Sequence, residues 1–172
     1  MNLEEIFFAR IDLLPYKGMI EGFVDKSECE SFAFENLDPR CGGISIPGKC
    51  IISKTILQFP MEVLLYILFH EIAHQYQYRK HGRDLMLDAY LSLPIGEAAE
   101  ELLRIESIAD RLAMLKLRSI IGGESLPPYR YYRNASIEYF ERHIEKIRKS
   151  AEELENRDID SINEMIYAEY RA

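Results

Sequence analysis

His70 and His74 stand four residues apart in the stretch FHEIAHQYQYRKHG, Phe69 to Gly82, with Glu71 between them. Four helical steps turn through about 400°, so on a helix both imidazoles leave one face, a turn apart. Two nitrogens at that spacing can share one tetrahedral zinc ion. Glu71 points about 100° to the side. That offset suits a general base beside a metal, taking a proton from an attacking water, better than it suits a third ligand. The plain alternative is a pair of satisfied histidines in a core helix. Leaving such a pair without partners there is costly, which favours the metal. The longer pattern H-E-x-x-H-x-x-G-x-x-H fails here, because positions 77 and 80 are Gln and Lys. His81 falls one residue late at the helix end and reads as a surface histidine.

Two histidines do not complete a site. The segment from about Ile95 to Ile120 reads as a long helix with Glu97, Glu100, Glu101, Arg104 and Arg111 on its polar face. Its apolar stripe runs Ala99, Leu102, Glu106, Ala109, Ala113, so Glu106 sits among small buried residues. A buried carboxylate needs a partner, and the alanines allow another helix close approach. Asp110 lies one turn on, on the same side. Glu106 can complete a His-His-Glu shell, and Asp110 can accept the second N–H of a ligand histidine. The alternative for both is an inward salt bridge.

Other elements must hold these residues in place. Pro60 and Gly82 bound a helix that is apolar nearly all round until Ala73, the mark of a central helix. Asn2 caps a first helix that Pro15 ends. MIEGFVD, SFAFEN and GGISIPGKCIISKTIL read as strands, the last folded at Pro47-Gly48 into a tight hairpin with Ser45 opposite Cys50. Residues 83–93 read as a connection, and SLPPYRYYRN as a loop after Gly122-Gly123. Ile137, Phe140, Ile144, Ile147, Ala151 and Leu154 form a narrow helical seam. Ser161 with Glu164 resembles a capping box opening a short last helix. The expected fold is α+β in a single domain over 1–172. It has a short mixed or antiparallel sheet, a central histidine-bearing helix, a long glutamate-bearing helix and a C-terminal helical extension over about 136–172.

Composition narrows the functional classes. The 172 residues carry a formal net charge of -8, which argues against non-specific nucleic-acid binding and adsorption to anionic membranes. RKHGR at Arg79–Arg83 and YRYYR at Tyr129–Arg133 run against that trend, and solvated loops look the same. Glu4 and Glu5 stand where a secretory leader carries positive charge. The longest apolar run, Val63–Phe69, falls far short of the roughly 20 residues of a membrane span. A cytoplasmic protein is expected. Cys29, Cys41 and Cys50 form no C-x-x-C, and Cys41 lies too far along the hairpin to bridge Cys50, so free thiols are expected.

HEIAH followed by ESIADRLA is similar to the H-E-x-x-H … E-x-x-A-D/N-x-x-A arrangement of ImmA/IrrE-like zinc metallopeptidases, which are of gluzincin type. GKCIISKTIL also resembles the strand that edges the cleft in such enzymes, so the resemblance runs from Gly43 to about Leu117. SprT-like proteins share the strand and the first motif but use a histidine as third ligand, whereas Glu106 fits the glutamate branch. The resemblance implies one zinc ion per chain on His70, His74 and Glu106, with Asp110 behind them. It implies hydrolysis of a protein or peptide substrate, with Glu71 as general base and Lys49–Leu57 pairing with the extended substrate. An oxyanion donor is also required, for which Tyr129, Tyr131, Tyr132 and His143 are the candidates. No membrane or nucleic-acid partner is expected, and the seam over about 137–154 offers a surface for an oligomer. Two rival readings stand beside this one: a catalytically silent zinc-site regulatory or binding module, and a metal-free helical domain.

Overall fold

Helix α3, Met61–His81, is apolar on every side from Val63 to Phe69. Leu64, Leu65, Leu68, Phe69, Ile72 and Ala73 are all fully buried. A helix of that composition is stable only when other elements surround it, and the rest of the chain does this. The computed structural model describes residues 3–38, 41–122, 137–154, 158–168 and 170–171. The fold is α+β. Along one side of α3 lies a mixed sheet of β1 (Ser31–Glu35), β2 (Gly43–Ile46) and β3 (Lys49–Ser53), in the order β1-β3-β2. β1 runs parallel to β3, and β2 pairs with it antiparallel, with Ser45 opposite Cys50 as the hairpin predicted. Gly48 holds a φ of +81° at the second central position of the turn, a conformation open to glycine at no steric cost.

Several elements differ from the sequence reading. Residues of MIEGFVD lie in α2, Lys17–Ser27, not in a strand. Ile20 and Val24 are buried, and Phe23 packs edge-on against Phe69 at 5.4 Å between ring centroids. The apolar residues recur at helical spacing, which so short a run disguises. Helix α1, Leu3–Ala9, stops well before Pro15, which lies inside a 3-10 segment over Ile11–Tyr16; Asn2, the expected cap, is outside the described residues. The strand expected over Lys49–Leu57 ends at Ser53 and becomes a 3-10 turn. More important, β3 is the central strand, so it has no free edge to offer a substrate. The edge on the site's side is β2. Residues 83–93 contain α4, Leu85–Leu91, as well as a connection.

Helix α5, Ile95–Ile121, packs along α3 through Ala109 and Ala113. Helix α6, Ile137–Glu152, buries the predicted seam residues Phe140, Ile144, Ile147 and Ala151 within the chain. Its Arg148 donates to the carbonyls of Tyr90 and Leu93 at 2.6 and 2.5 Å, fixing the α4–α5 corner. Helix α7, Ile159–Ala168, is opened by Asp158, whose carboxylate accepts the Ser161 N–H at 2.7 Å, rather than by Ser161. Tyr167 of α7 packs with Ile44, Ile46 and Ile51, while Cys50 and Ile52 join the core around α3. The alternation of a strand thus divides the sheet between two helical layers. Among the described residues, no helix is long and apolar enough to cross a membrane.

Gln75 locks the hairpin to α3. Its amide nitrogen donates to Ser45 Oγ and to the Ile46 carbonyl at 2.5 and 2.9 Å, and its oxygen accepts the Gly48 N–H at 2.9 Å. Gln75→Leu keeps the volume and leaves these buried groups unpaired. It should lower unfolding stability by about 2 kcal/mol or more in urea denaturation. A change within experimental error would mean that the hairpin is held by packing alone.

Candidate metal centre

His70 and His74 leave α3 on one face, as their spacing requires, and Glu106 meets them from α5. His70 Nε2 lies 3.1 Å from His74 Nε2 and 3.1 Å from Glu106 Oε2, and His74 Nε2 lies 3.4 Å from Glu106 Oε1. Ligands about 2.0–2.2 Å from a tetrahedral zinc stand about 3.3–3.5 Å from each other. The three donors therefore already have nearly the mutual spacing such an ion imposes. Among the described residues they are the one group of three or more His, Cys, Asp or Glu side chains able to hold a metal. The donor set, two imidazoles and a carboxylate, is one that could hold a zinc ion.

Each imidazole is fixed from behind. His70 Nδ1 lies 2.9 Å from Asp110 Oδ1, the role expected of that residue, and the Tyr66 hydroxyl donates to the same carboxylate oxygen. His74 Nδ1 lies 2.8 Å from Gln77 Oε1, while the Gln77 amide donates to the Ile105 carbonyl at 2.8 Å. Such partners set the tautomer and aim the other ring nitrogen. Sequence reasoning missed Gln77 and Tyr66, yet each had a signal. Gln77 is a polar residue one turn after His74 on a buried helix, and Tyr66 stands one turn before His70.

The electrostatics are those of a site short of positive charge. Burial pulls the His70 pKa down, but hydrogen bonds to Asp110 and Glu106 outweigh it and leave it well above the ordinary value. Burial alone would raise the Glu106 pKa; His74 and His70 together drive it well below the usual carboxylate range. Glu71 moves the other way: burial raises its pKa, only partly offset by the two histidines.

Glu71 lies to the side of the ligand face, over the start of β2. A Cβ built on Gly43 would stand 2.6 Å from Glu71 Cγ and 2.9 Å from its Oε1. Nothing larger than glycine fits there while Glu71 keeps its place. The glutamate is 7% exposed.

The centre opens into a cavity of about 960 Å³ bounded by α3, α5, the β2 segment and the C-terminal helices. His143 of α6 lines it, and Tyr170, which sequence reasoning missed, holds His143 Nε2 at 2.7 Å from its hydroxyl. Tyr129, Tyr131 and Tyr132 lie outside the described residues. His81 is exposed at the end of α3, away from this group. Comparison with protein-family models, curated proteins and solved structures found no match.

Two measurements test the centre. Asp110→Ala should fold normally and bind zinc about 10–100-fold more weakly in competition with a chromophoric chelator. Because the metal-free site holds a proton on His70, zinc must displace it. Affinity should fall about tenfold per unit as pH drops through the neutral range. Equal affinity across that range, or in Asp110→Ala, would reduce the His70–Asp110 contact to a structural pair.

Proposed function

We propose that this chain is a zinc-dependent endopeptidase of gluzincin type, akin to the ImmA/IrrE-like enzymes that its motifs resemble. The observation that carries this reading is the meeting of His70, His74 and Glu106 at zinc-like separations, with Glu71 buried beside them and held off the ligand face. Zinc held by those three residues supplies a Lewis acid that polarises the scissile carbonyl and makes a water acidic. Glu71 takes the water's proton on its carboxylate and passes it to the nitrogen of the leaving amine.

An extended peptide would lie along β2. Gly42 accepts from the Ser53 N–H across the ladder, so by antiparallel alternation Gly43 and Ser45 turn their backbone groups outward. The Ser45 carbonyl already accepts the Tyr78 hydroxyl at 3.0 Å, and the Gly43 carbonyl accepts the Cys41 thiol at 3.1 Å. The N–H groups of Gly43 and Ser45 are then the donors for substrate carbonyls. The paired His143 and Tyr170, on the opposite wall, offer the donor for the oxyanion. The occupied edge carbonyls also suit the rival reading, a silent zinc-site binding module, since they shorten the ladder a substrate can form.

Glu71→Gln separates the two. Zinc content and thermal unfolding should stay near wild type, while cleavage of a denatured-protein or peptide-library substrate falls about 10²–10⁴-fold. Gly43→Ala should retain zinc and also lose activity, because the new methyl group displaces Glu71. Lost zinc in Glu71→Gln would make that residue a ligand. Undiminished cleavage would sink the mechanism, and inactivity of every form would favour the binding module.

A further inference from the structure

The three cysteines are in unlike surroundings: Cys41 lines the cavity, whereas Cys29 and Cys50 do not. Cys29 follows α2 and is partly exposed; Cys50 is fully buried in β3. The Cys50 thiol comes near enough to Cys29 to be the largest influence lowering its pKa. The parallel pairing of β1 with β3 creates this contact by setting Phe32 beside Cys50, with Cys29 just before the strand. The Cys29 sulfur lies 3.0 Å from the Ser31 carbonyl and 3.8 Å from that of Gly48, in the hairpin turn. The Cys50 sulfur lies 3.8 Å from Ser45 Oγ and 3.5 Å from the Glu71 carbonyl. Cys41 sits elsewhere, donating to Gly43.

The geometry points to Cys29 and Cys50 as an oxidant-reactive dithiol, a modification site in which hydrogen peroxide converts the pair to a disulfide. Cys29 is the attacking group. The Cys50 thiol and the backbone N–H groups of Cys50 and Ser31 stabilise its thiolate, outweighing burial and Glu30, and bring its pKa to about 7. Cys41, by contrast, is pushed up to about 12 by burial and by Glu71. The Cys29 thiolate attacks one peroxide oxygen, and the O–O bond breaks. Once protonated, the leaving oxygen departs as water, and Cys29 carries a sulfenic acid. The Cys50 sulfur then attacks the Cys29 sulfur, and the S–O bond breaks. The hydroxide released takes the Cys50 proton and leaves as a second water. Two thiols are oxidised and one peroxide is reduced. The Glu30 and Ser31 N–H groups both bond to Gly48 O at 2.9 Å, so the segment bearing Cys29 is tied to the turn that leads into Cys50. No metal takes part, and the site is independent of the proposed peptidase activity.

Trypsin places each cysteine on its own peptide, because Lys26, Arg40, Lys49 and Lys54 fall between and around them. Reduced full-length protein treated with equimolar hydrogen peroxide, blocked with an alkylating agent and digested without reductant should yield the Cys29–Cys50 peptide pair. Dithiothreitol should restore both thiols. Cys29→Ser should slow peroxide consumption at least about tenfold, and Cys41→Ser should not change it. Cys50→Ala should stop at a sulfenic acid on Cys29, trapped by a cyclic diketone. If that buried substitution fails to fold, the wild-type peptide map decides alone. A bridge through Cys41, a bridge between two chains, or Cys29 oxidised to sulfinic acid while Cys50 stays reduced would each overturn the assignment.

Discussion

A buried helix has no water with which to satisfy its polar side chains, and α3 carries Glu71, His74, Gln75 and Gln77 in its buried middle. Each must find its partner from another element or from a neighbour on α3 itself. Gln75 faces the sheet and holds the hairpin. Gln77 faces α5 and reaches the Ile105 carbonyl, one residue before Glu106. His70 and His74 face the same helix and find Glu106 and Asp110. The positions of β2 and α5 about α3 are therefore set by the groups α3 must satisfy as well as by apolar packing. The His-His-Glu cluster lies at the centre of that arrangement, with Glu106 near both imidazoles.

The local features of this arrangement were legible in the chain. Histidines four apart on a helix share a face whatever surrounds them, and a glutamate in an alanine stripe must point inward. Asp110, one turn after Glu106, could be set behind one of the two histidines on the same logic, and the hairpin at Pro47-Gly48 announced its own register. Relations set by distant contacts were not legible. Nothing in GKCIISKTIL tells a central strand from an edge strand, because that depends on β1 inserting alongside β3. MIEGFVD is short enough that its helical spacing and an extended strand look alike. Tyr170 reaches His143 only because α7 folds back over the sheet. Cys29 meets Cys50 only through the parallel pairing of β1 with β3, and no sequence interval expresses that.

Gly43 shows how a small detail joins the two levels. In the sequence it is one of two adjacent glycines opening a strand. In the fold its missing side chain is the space that Glu71 occupies. The glutamate is thereby kept against the sheet and off the ligand face, although it adjoins His70 in the chain. Had β2 carried a larger residue there, Glu71 could not keep this position.

That separation bears on charge. Glu71, Glu106 and Asp110 gather around two histidines in a chain that is already strongly acidic. The repulsion between Glu71 and Glu106 adds to burial in raising the Glu71 pKa, while Glu106 is held ionised by the imidazoles. A single proton on His70 balances one of these carboxylates. A divalent cation bound by His70, His74 and Glu106 brings more positive charge to the same place, and it releases that proton. It would also pull the Glu71 pKa back down, leaving an ionised carboxylate next to the centre but not bound to it. Glutamate in that state can accept a proton, whereas a ligating or protonated one could not. The contact between Gly43 and Glu71 is thus as much a condition of the proposed chemistry as the three donors are.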